Sequence, residues 1–235
     1  MCSINGFNFR DEKLIREMVD KTRYRGPDQQ GVYCDEDVSL GHARLSIIDL
    51  SERARQPIWN EDGSLCIIFN GEIYNFQELR NELLTRGHKF YSSSDTEIIL
   101  HLYEEKKEKC LDELNGIFAF AIYNQKEKSL FLARDRIGIK PLYYYFDGKR
   151  LIFSSEIKAM LAHPIVREID QESLTHYFRI FFVPSPYTLL KGIRKLSPAH
   201  YLNYKNGEVE IKKYWDLQDL PEIQSKEEII NKIQS

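Results

Sequence analysis

The sequence predicts an α+β fold of stacked, mainly antiparallel sheets with helices outside them. Strand patterns and helix patterns occur in separate blocks instead of alternating, which is typical of antiparallel sheets with segregated helices. The second half of the chain contains three hairpin patterns, and hairpins join antiparallel strands. The chain has 235 residues, 42% hydrophobic and 29% charged, so it is long enough to bury a substantial core.

The first predicted elements are a short strand and a helix. The stretch SINGF alternates weakly and has the length of a strand. Asp11 is the predicted N-cap of a helix whose apolar face consists of Leu14, Ile15, Met18, Val19 and Thr22. In RYRGPDQQG the Gly-Pro-Asp sequence predicts a turn, and the aliphatic stretch VSLGHARLSIIDL predicts the next strand.

Two capping-box patterns predict the next two helices. After LCIIF, which predicts a buried strand, Asn75 and Glu78 stand three residues apart, and Gly87 is the predicted end of that helix. Its predicted apolar face consists of Leu79, Leu83 and Leu84. Ser94 and Glu97 repeat the spacing ahead of IILHLYEEKKE, which predicts a second helix there.

The second half predicts three hairpins and two short helices. The strand pairs are GIFAFAIY with SLFLAR, LYYYF with RLIFSS, and HYLNY with EVEIKKYW, the last pair joined by Asn206-Gly207. Helices are predicted over 155–162, ending before Pro164, and over 171–178. The final stretch, LPEIQSKEEIINKIQS, has the amphipathic pattern of another helix.

Charge and hydropathy exclude several classes of function. The net charge is −3 and the pI is near 6.1, so the chain lacks the basic surplus of a protein that binds nucleic acid or an anionic membrane. No apolar run has the length of a membrane span, and charges occur within the first dozen residues in place of a signal-peptide core. We therefore predict a cytoplasmic protein whose partners are small molecules or protein.

The cysteines and histidines do not form a recognisable metal-binding pattern. Cys2, Cys34, Cys66 and Cys110 are widely spaced, without a CxxC pair, and are predicted to be free thiols. The six histidines show no metal-ligand spacing, so the sequence predicts no metal site and gives these residues no chemistry: His42, His88, His101, His163, His176 and His200.

The position of Cys2 directly after Met1 permits two interpretations. Methionine trimming before a small residue would leave Cys2 with a free α-amino group, whose unperturbed pKa of about 7.7–8.0 suits a base near neutral pH. The thiol would then be a nucleophile beside its own base. Alternatively, Cys2 begins a buried strand, because free cysteine behaves as a small hydrophobe.

Five motifs, taken together in order, resemble one family. They are Cys2, RGPD at 25–28, GHARLSIIDL at 41–50, FNGEIYN at 69–75 and SSDTE at 93–97. This set resembles the class II glutamine amidotransferase domain, an N-terminal-nucleophile hydrolase, and matches most closely the N-terminal half of glutamine-hydrolysing asparagine synthetases. The stretches LARDRIGIKPLYYY and VPSPYTLLKGIRKLSPAHYL extend the resemblance over almost the whole chain. The resemblance implies a four-layer αββα sandwich.

The resemblance also implies a site for glutamine. Cys2 would attack the carboxamide carbon and form a thioester, while the Asn70 side chain and the Gly71 backbone N–H would stabilise the oxyanion. Arg44 would hold the α-carboxylate of glutamine, and Asp95 its α-ammonium group. The remaining pocket wall would comprise Leu45, Ser46, Ile47, Ile48 and Glu72.

Each of these residues also has a purely structural interpretation. Arg44 could be a solvent-facing strand charge, Asp95 could favour a helix dipole, and Asn70-Gly71 could form a turn. Arg25 and Asp28 are expected to shape a loop near the site without touching glutamine. One departure from the family is Ser3, which replaces the usual glycine and is expected to crowd the strand beside the sulfur.

The resemblance predicts a domain over 1–215 and, over 216–235, a linker or first helix toward a synthetase domain. The ATP-binding loop that resembles SGGLDS does not occur in this chain. We expect no cofactor for this domain, ATP and Mg²⁺ for the synthetase domain, and ammonia transfer to aspartate; a homodimer is left open. The alternatives are the glutaminase domain of another amidotransferase, which amidates a different carboxylate or a sugar, and a non-catalytic glutamine-binding module.

Overall fold

Twelve strands form the centre of the computed structural model of this chain, which describes residues 1–217 and Ile230. In chain order they are β1 (Ser3–Phe7), β2 (Gln29–Cys34), β3 (Ser39–Arg44), β4 (Ile58–Trp59), β5 (Leu65–Ile73), β6 (Gly116–Asn124), β7 (Ser129–Arg134), β8 (Tyr143–Phe146), β9 (Leu151–Ser154), β10 (Ile193–Lys195), β11 (His200–Lys205) and β12 (Glu208–Lys213).

These strands form two six-stranded antiparallel sheets. The first sheet has the order β10-β8-β9-β1-β3-β2, and the second has the order β12-β11-β7-β6-β5-β4. In the first sheet β1 is central, with Ser3 opposite Ala43 of β3. In the second sheet β4 pairs with β5 only at Ile67 and Cys66, so one edge of β5 has no strand beside it beyond Ile67.

Six helices cover the outer faces of the sheets or lie in the connections. They are α1 (Glu12–Thr22), α2 (Phe76–Thr85), α3 (Thr96–Lys106), α4 (Cys110–Glu113), α5 (Ile157–Met160) and α6 (Gln171–Ile180). Helices α1 and α5 pack on the outer face of the first sheet, and α2, α3 and α4 pack on the outer face of the second. The predicted α+β class with four αββα layers is confirmed.

The strand alternation of β5 explains how the second sheet separates two cores. Ile67 and Phe69 point outward toward the helices, whereas Cys66 and Ile68 point inward toward the first sheet. Successive side chains of a strand face opposite sides, so a strand buried on both faces is apolar throughout, as LCIIF is.

Several local predictions are confirmed. The Asp11 side chain caps α1 by accepting a hydrogen bond from the Leu14 N–H at 2.9 Å. All three predicted hairpins form, and Asn206 and Gly207 have φ angles of 54° and 80°, as a two-residue hairpin turn requires. Helix α2 ends at Thr85, two residues before Gly87, whose φ of 99° suits glycine.

The predicted capping box of α2 is wrong. The Asn75 side chain makes no cap hydrogen bond; instead it donates to the Glu113 carbonyl at 2.9 Å and accepts from the Asn115 N–H at 3.0 Å. The side chain therefore ties the start of α2 to the segment that enters β6. The prediction that Leu84 belongs to the apolar face of α2 is also wrong, because its side chain is 47% exposed whereas those of Leu79 and Leu83 are buried.

The second capping box is wrong for a similar reason. The N-cap of α3 is Asp95, and the Ser94 hydroxyl interacts with that of Ser92. The Glu97 carboxylate accepts from the backbone N–H groups of Tyr91 and Ser92 at 2.8 and 2.7 Å. Hydrogen bonds to Tyr91 and Ser92, just before the helix, thus replace the capping-box bonds that the spacing suggests.

The remaining differences concern element lengths. The helix predicted over 155–162 is the four-residue α5, and the strand predicted in VSLGHARLSIIDL ends at Arg44, where the chain turns into the site. The predicted C-terminal helix lies outside the described residues, apart from Ile230. Within the described part of the chain, no helix is long and apolar enough to cross a membrane.

Candidate active site

Cys2 lies at the head of the central strand of the first sheet. Because Ser3 pairs with Ala43, the antiparallel register brings Cys2 beside the end of β3. The Leu45 N–H donates to the Cys2 sulfur at 3.4 Å, and the thiol is 3.6 Å from the Leu45 carbonyl oxygen. The register alone therefore places the thiol next to Arg44 and Leu45.

Burial governs the protonation of this thiol. Desolvation raises the pKa of Cys2 above its ordinary value, opposed by the Leu45 N–H, the terminal ammonium group and the Arg44 guanidinium, and assisted by Asp95. The sulfur is therefore a thiol near neutral pH. A neighbouring base must remove its proton before it can act as a nucleophile.

The RGPD segment holds the loops around Cys2, as predicted. Arg25 donates to the Cys2 carbonyl at 3.1 Å and forms a 2.9 Å ion pair with Glu156. The Asp28 carboxylate accepts from the Ser46 N–H at 2.8 Å. Arg25 therefore fixes the backbone of the thiol residue, and Asp28 fixes the loop after β3.

Ser3 does not crowd the sulfur as the sequence suggested. Its side chain is fully buried, and its hydroxyl donates to the Thr22 hydroxyl of α1 at 2.8 Å. Neighbouring residues of a strand face opposite sides, so Ser3 points toward the helix layer and Cys2 does not. The departure from glycine is accommodated between β1 and α1.

Asn70 and Gly71 lie within β5, so the turn interpretation is wrong. They pair with Ala119 and Phe118 of β6. A Cβ atom on Gly71 would lie 2.3 Å from the Ile117 carbonyl oxygen, so the close approach of the two strands requires glycine here. The Asn70 side chain is buried, and its amide nitrogen has no hydrogen-bond partner among the described residues.

The unpaired edge of β5 presents backbone donors to the site. The Phe69 N–H donates to the Gln56 side chain at 2.6 Å, and the Ile73 N–H donates to the Asp95 carboxylate at 2.9 Å. Backbone groups alternate in direction along an antiparallel strand, so the Gly71 N–H points to the same edge, between these two.

Arg44 is not a solvent-facing charge. It is 5% exposed, and its guanidinium donates to the Gln29 side chain at 2.6 Å, to the Ser51 carbonyl at 3.2 Å and to the Asp49 carbonyl. The acceptors of these guanidinium hydrogen bonds are neutral carbonyl oxygens and not carboxylates. The positive charge therefore remains available to an anionic ligand in the pocket.

Asp95 occupies the N-cap position of α3, but its side chain does not cap the helix. Its side chain makes no cap hydrogen bond to α3 and is 5% exposed. Burial, assisted by the nearby Glu72, raises its pKa from 3.8 to about 6, against the opposing effects of the Ile73 N–H and Arg44. No lysine or arginine among residues 1–217 forms an ion pair with this buried carboxylate, so it can accept an ammonium group.

One pocket joins these groups. It is lined by every predicted site residue except Ser46: Cys2, Arg44, Leu45, Ile47, Ile48, Asn70, Gly71, Glu72 and Asp95. Ser46 contributes through its backbone bond to Asp28. The pocket therefore combines a thiol, an unpartnered amide donor, a guanidinium and a carboxylate, a set that matches an amino acid with a side-chain carbonyl.

Sequence reasoning missed five polar residues of the pocket wall: Asp49, Gln56, Ser94, Thr96 and Lys140. The buried Gln56 amide donates to the Thr96 hydroxyl at 3.3 Å and accepts from Phe69, so it joins β5 to α3. A single glutamine before a proline carries no local signal of this role. Lys140 belongs to LARDRIGIKPLYYY, a stretch that supported the resemblance without suggesting a place in the site.

The prediction for the cysteines is confirmed, but that for the histidines is not. All four cysteines are free thiols. His88 and His101, separated by thirteen residues in sequence, lie together with Glu61 and Glu104, and one ligand atom from each lies within 4.8 Å of the others. No sequence pattern indicates this group, because the contacts form only when α3 packs beside the turn after β4.

The fold and the pocket together define an amidotransferase of the N-terminal-nucleophile class. The family described as glutamine amidotransferase domain matches residues 1–215, and this chain belongs to that family. Glutamine phosphoribosylpyrophosphate amidotransferase of Bacillus subtilis shares the fold, with a TM-score of 0.69 at 17% identity over 91% of this chain and 49% of that one. The resemblance inferred from the motifs is confirmed.

The curated relatives are named asparagine synthetases. The chain is 39% identical to the glutamine-hydrolysing asparagine synthetase 3 of Bacillus subtilis, with 100% of this chain and 40% of that protein covered. It is 36% identical to the putative glutamine-hydrolysing asparagine synthetase 2 of Methanocaldococcus jannaschii, with 98% and 49% covered. The chain therefore spans less than half the length of these relatives.

The buried carboxylate predicts a pH-dependent change in stability. The folded pKa of Asp95, about 6, lies above the ordinary 3.8, so ionisation lowers the free energy of unfolding above pH 6 and this penalty vanishes below pH 3.8. Asp95→Asn should raise the free energy of unfolding by about 1–3 kcal/mol at pH 8 and by less at pH 5.

Urea unfolding at both pH values measures this change. Asp20→Asn, an exposed carboxylate change on α1, is the control and should alter the free energy of unfolding little at either pH. An Asp95→Asn protein that is equally destabilised at pH 8 and pH 5 would contradict the assigned cost of the buried charge.

Proposed function

We propose that this chain hydrolyses L-glutamine to L-glutamate and ammonia, with Cys2 as the nucleophile. The observation that carries the proposal is the position of the Cys2 thiol in one pocket with an unpartnered Asn70 amide. Two charged side chains of the pocket match the two ends of a free amino acid: Arg44 binds the α-carboxylate, and Asp95 binds the α-ammonium group. Leu45, Ser46, Ile47, Ile48 and Glu72 shape the wall between them.

The reaction requires an activated thiol. After loss of Met1, the α-amino group of Cys2 takes the thiol proton, and the sulfur bonds to the carboxamide carbon of glutamine. The carbon–nitrogen bond then breaks, and the amino group returns the proton to the departing nitrogen, which leaves as ammonia. Water attacks the thioester by the same route, which frees glutamate and restores the thiol.

The oxyanion forms twice along this path, and two donors are positioned for it. The Asn70 amide nitrogen has no partner among the described residues, and the Gly71 N–H points to the open edge of β5. Donors that are fixed in place before the reaction stabilise a developing charge without reorganising. This arrangement supports Asn70 and Gly71 as the oxyanion hole.

Asn70→Ala should lower kcat about 10²–10³-fold with little change in KM, because the amide acts on charge present only in the transition state. Its effect on folding should be small, since the amide nitrogen has no partner to lose. Initial rates of glutamate formation measure both constants. Asn70→Asp, nearly isosteric but anionic, should lose at least as much activity, and a normal kcat in the alanine variant would refute the role.

Cys2→Ala should abolish ammonia release and leave the fold intact, because the thioester cannot form. Cys34→Ala is the matched control, since Cys34 is a free thiol outside the pocket, and it should keep its activity. Ammonia and glutamate are measured alongside circular dichroism. Appreciable glutaminase turnover in a well-folded Cys2→Ala protein would contradict the assignment of Cys2 as the nucleophile.

An electrophilic glutamine analogue gives an independent test of the same nucleophile. Intact-protein mass should show loss of Met1 and one adduct per chain, and peptide mapping should place the adduct on Cys2. The Cys2→Ala protein should take up none. Retention of Met1 without any adduct would favour a non-catalytic glutamine-binding module.

We further propose that the ammonia is used by an ATP-dependent synthetase domain that converts aspartate to asparagine. The names and lengths of the relatives support this role. ATP and Mg²⁺ would bind in that domain, and no cofactor is needed by Cys2 chemistry. The stretches RLSIID and NGEIYNFQELR favour this branch over amidotransferases that act on other carboxylates or on sugars.

An exposed apolar surface supports a partner domain. Helix α6 and the residues after it expose five large side chains: Tyr177, Phe178, Ile180, Phe181 and Phe182. Phe181, at the end of the helix, is 81% exposed. Patches of this kind mark protein interfaces, and we assign this one to the synthetase domain.

A protein that joins this chain to such a synthetase domain tests the acceptor. With glutamine, ATP and Mg²⁺ it should form asparagine from aspartate, and a Cys2→Ala version should do so only when ammonia is supplied. Asparagine is measured by chromatography. Glutamine hydrolysis without asparagine formation would assign the nitrogen to another acceptor and leave the glutaminase proposal standing.

A further inference from the structure

A second cluster of chemically active side chains lies outside the glutamine pocket. Glu61 belongs to the turn between β4 and β5, His88 follows α2, and His101 and Glu104 lie on consecutive turns of α3. None of these four residues lines the pocket around Cys2. We propose that they bind one divalent transition-metal ion, with zinc as the ion best suited to two imidazoles and two carboxylates.

The distances fit tetrahedral coordination. Nδ1 of His101 lies 3.1 Å from a Glu104 oxygen and 3.4 Å from a Glu61 oxygen. Nδ1 of His88 lies 3.8 Å from each of the same two carboxylates. A tetrahedral zinc ion at about 2.0–2.2 Å from its ligands separates the ligand atoms by about 3.3–3.6 Å, so sub-ångström adjustments would complete the site.

Charge favours a cation at this position. Within the described part of the chain, no charged side-chain nitrogen of a lysine or arginine lies within 4 Å of the Glu61 or Glu104 carboxylate; their only ion-pair partners are the two histidines. His101 is 1% exposed, so its imidazole faces the two carboxylates with almost no solvent. One divalent cation would balance the two carboxylates while both imidazoles stay neutral.

Outer hydrogen bonds orient three of the four proposed ligands: His88, Glu104 and Glu61. The other ring nitrogen of His88, Nε2, lies 3.0 Å from a Glu105 oxygen. The Asn60 amide donates to the second Glu104 oxygen at 2.7 Å, and the Lys89 N–H donates to Glu61 at 2.8 Å. In protein metal sites, the histidine nitrogen that does not bind the metal typically hydrogen-bonds to a carboxylate. The ligating carboxylates typically accept hydrogen bonds as well.

The position of the cluster indicates a stabilising role. An ion there would join three separate segments: the β4–β5 turn, the α2–α3 connection and α3 itself. Helix α3 begins directly after Asp95, so the ion would also hold that carboxylate against β5. We therefore expect metal binding to raise Tm and to take no part in the reaction at Cys2.

Zinc binding to the purified chain tests this proposal. A Cys2→Ala background removes the competing thiol of the pocket. After treatment with a chelator and dialysis against ZnCl₂, the protein should hold one zinc per chain by mass spectrometry, with a rise in Tm. Cobalt in place of zinc should give the visible spectrum of a tetrahedral site without thiolate-to-metal charge transfer.

Matched variants locate the ion. His88→Gln and Glu104→Gln should each lose the bound zinc and the rise in Tm, and both side chains are partly exposed, which favours folded variants. His176→Gln, from a His–Glu pair on α6 outside the cluster, should bind zinc like its parent. A zinc content near zero in the parent, or an unchanged content in both cluster variants while folded, would overturn the proposal.

Discussion

The open edge of β5 is the constraint on which the site depends. Strand β4 ends its pairing at Ile67, so three backbone N–H groups of β5 that point the same way have no strand to receive them. Buried donors must find partners. Gln56 accepts from Phe69 and Asp95 accepts from Ile73, which leaves Gly71 between them facing the pocket. A short neighbouring strand thus converts a sheet edge into a binding surface.

The same edge explains why the site is energetically costly without a ligand. Asp95 is held as a buried carboxylate with a pKa of about 6, and the Asn70 amide nitrogen has no partner among the described residues. Both features oppose folding. The cores on each face of the second sheet offset them, and an amino acid with an ammonium group and a carbonyl would satisfy both. The pocket therefore lowers the free energy of unfolding at the residues that would bind the ligand.

Sequence patterns predicted the features that local physics controls and missed those that depend on packing. The Asp11 cap and the Asn206-Gly207 turn involve neighbouring residues, so spacing sufficed for both. Asn70-Gly71 has the composition of a turn, and only pairing with β6 keeps it extended, so its place in the site followed from the family resemblance and not from local pattern. The Asn75 side chain bonds to the distant Glu113 carbonyl instead of capping α2. His101 contacts Glu61 and His88 only because α3 packs beside their segments.

The two halves of the site lie on different sheets, so their relative position needs a direct link. Cys2 and Arg44 belong to the first sheet, and Asn70 belongs to the second. His42 of β3 provides one link, because its Nε2 lies 2.9 Å from the Phe69 carbonyl oxygen, which can only accept, so this nitrogen carries the proton. Burial lowers the pKa of His42 to about 4, so the ring stays neutral and the hydrogen bond persists throughout the neutral range. The sheets therefore hold the Cys2 thiol and the Asn70 amide in a fixed relative position without a group at their junction that titrates in the neutral range.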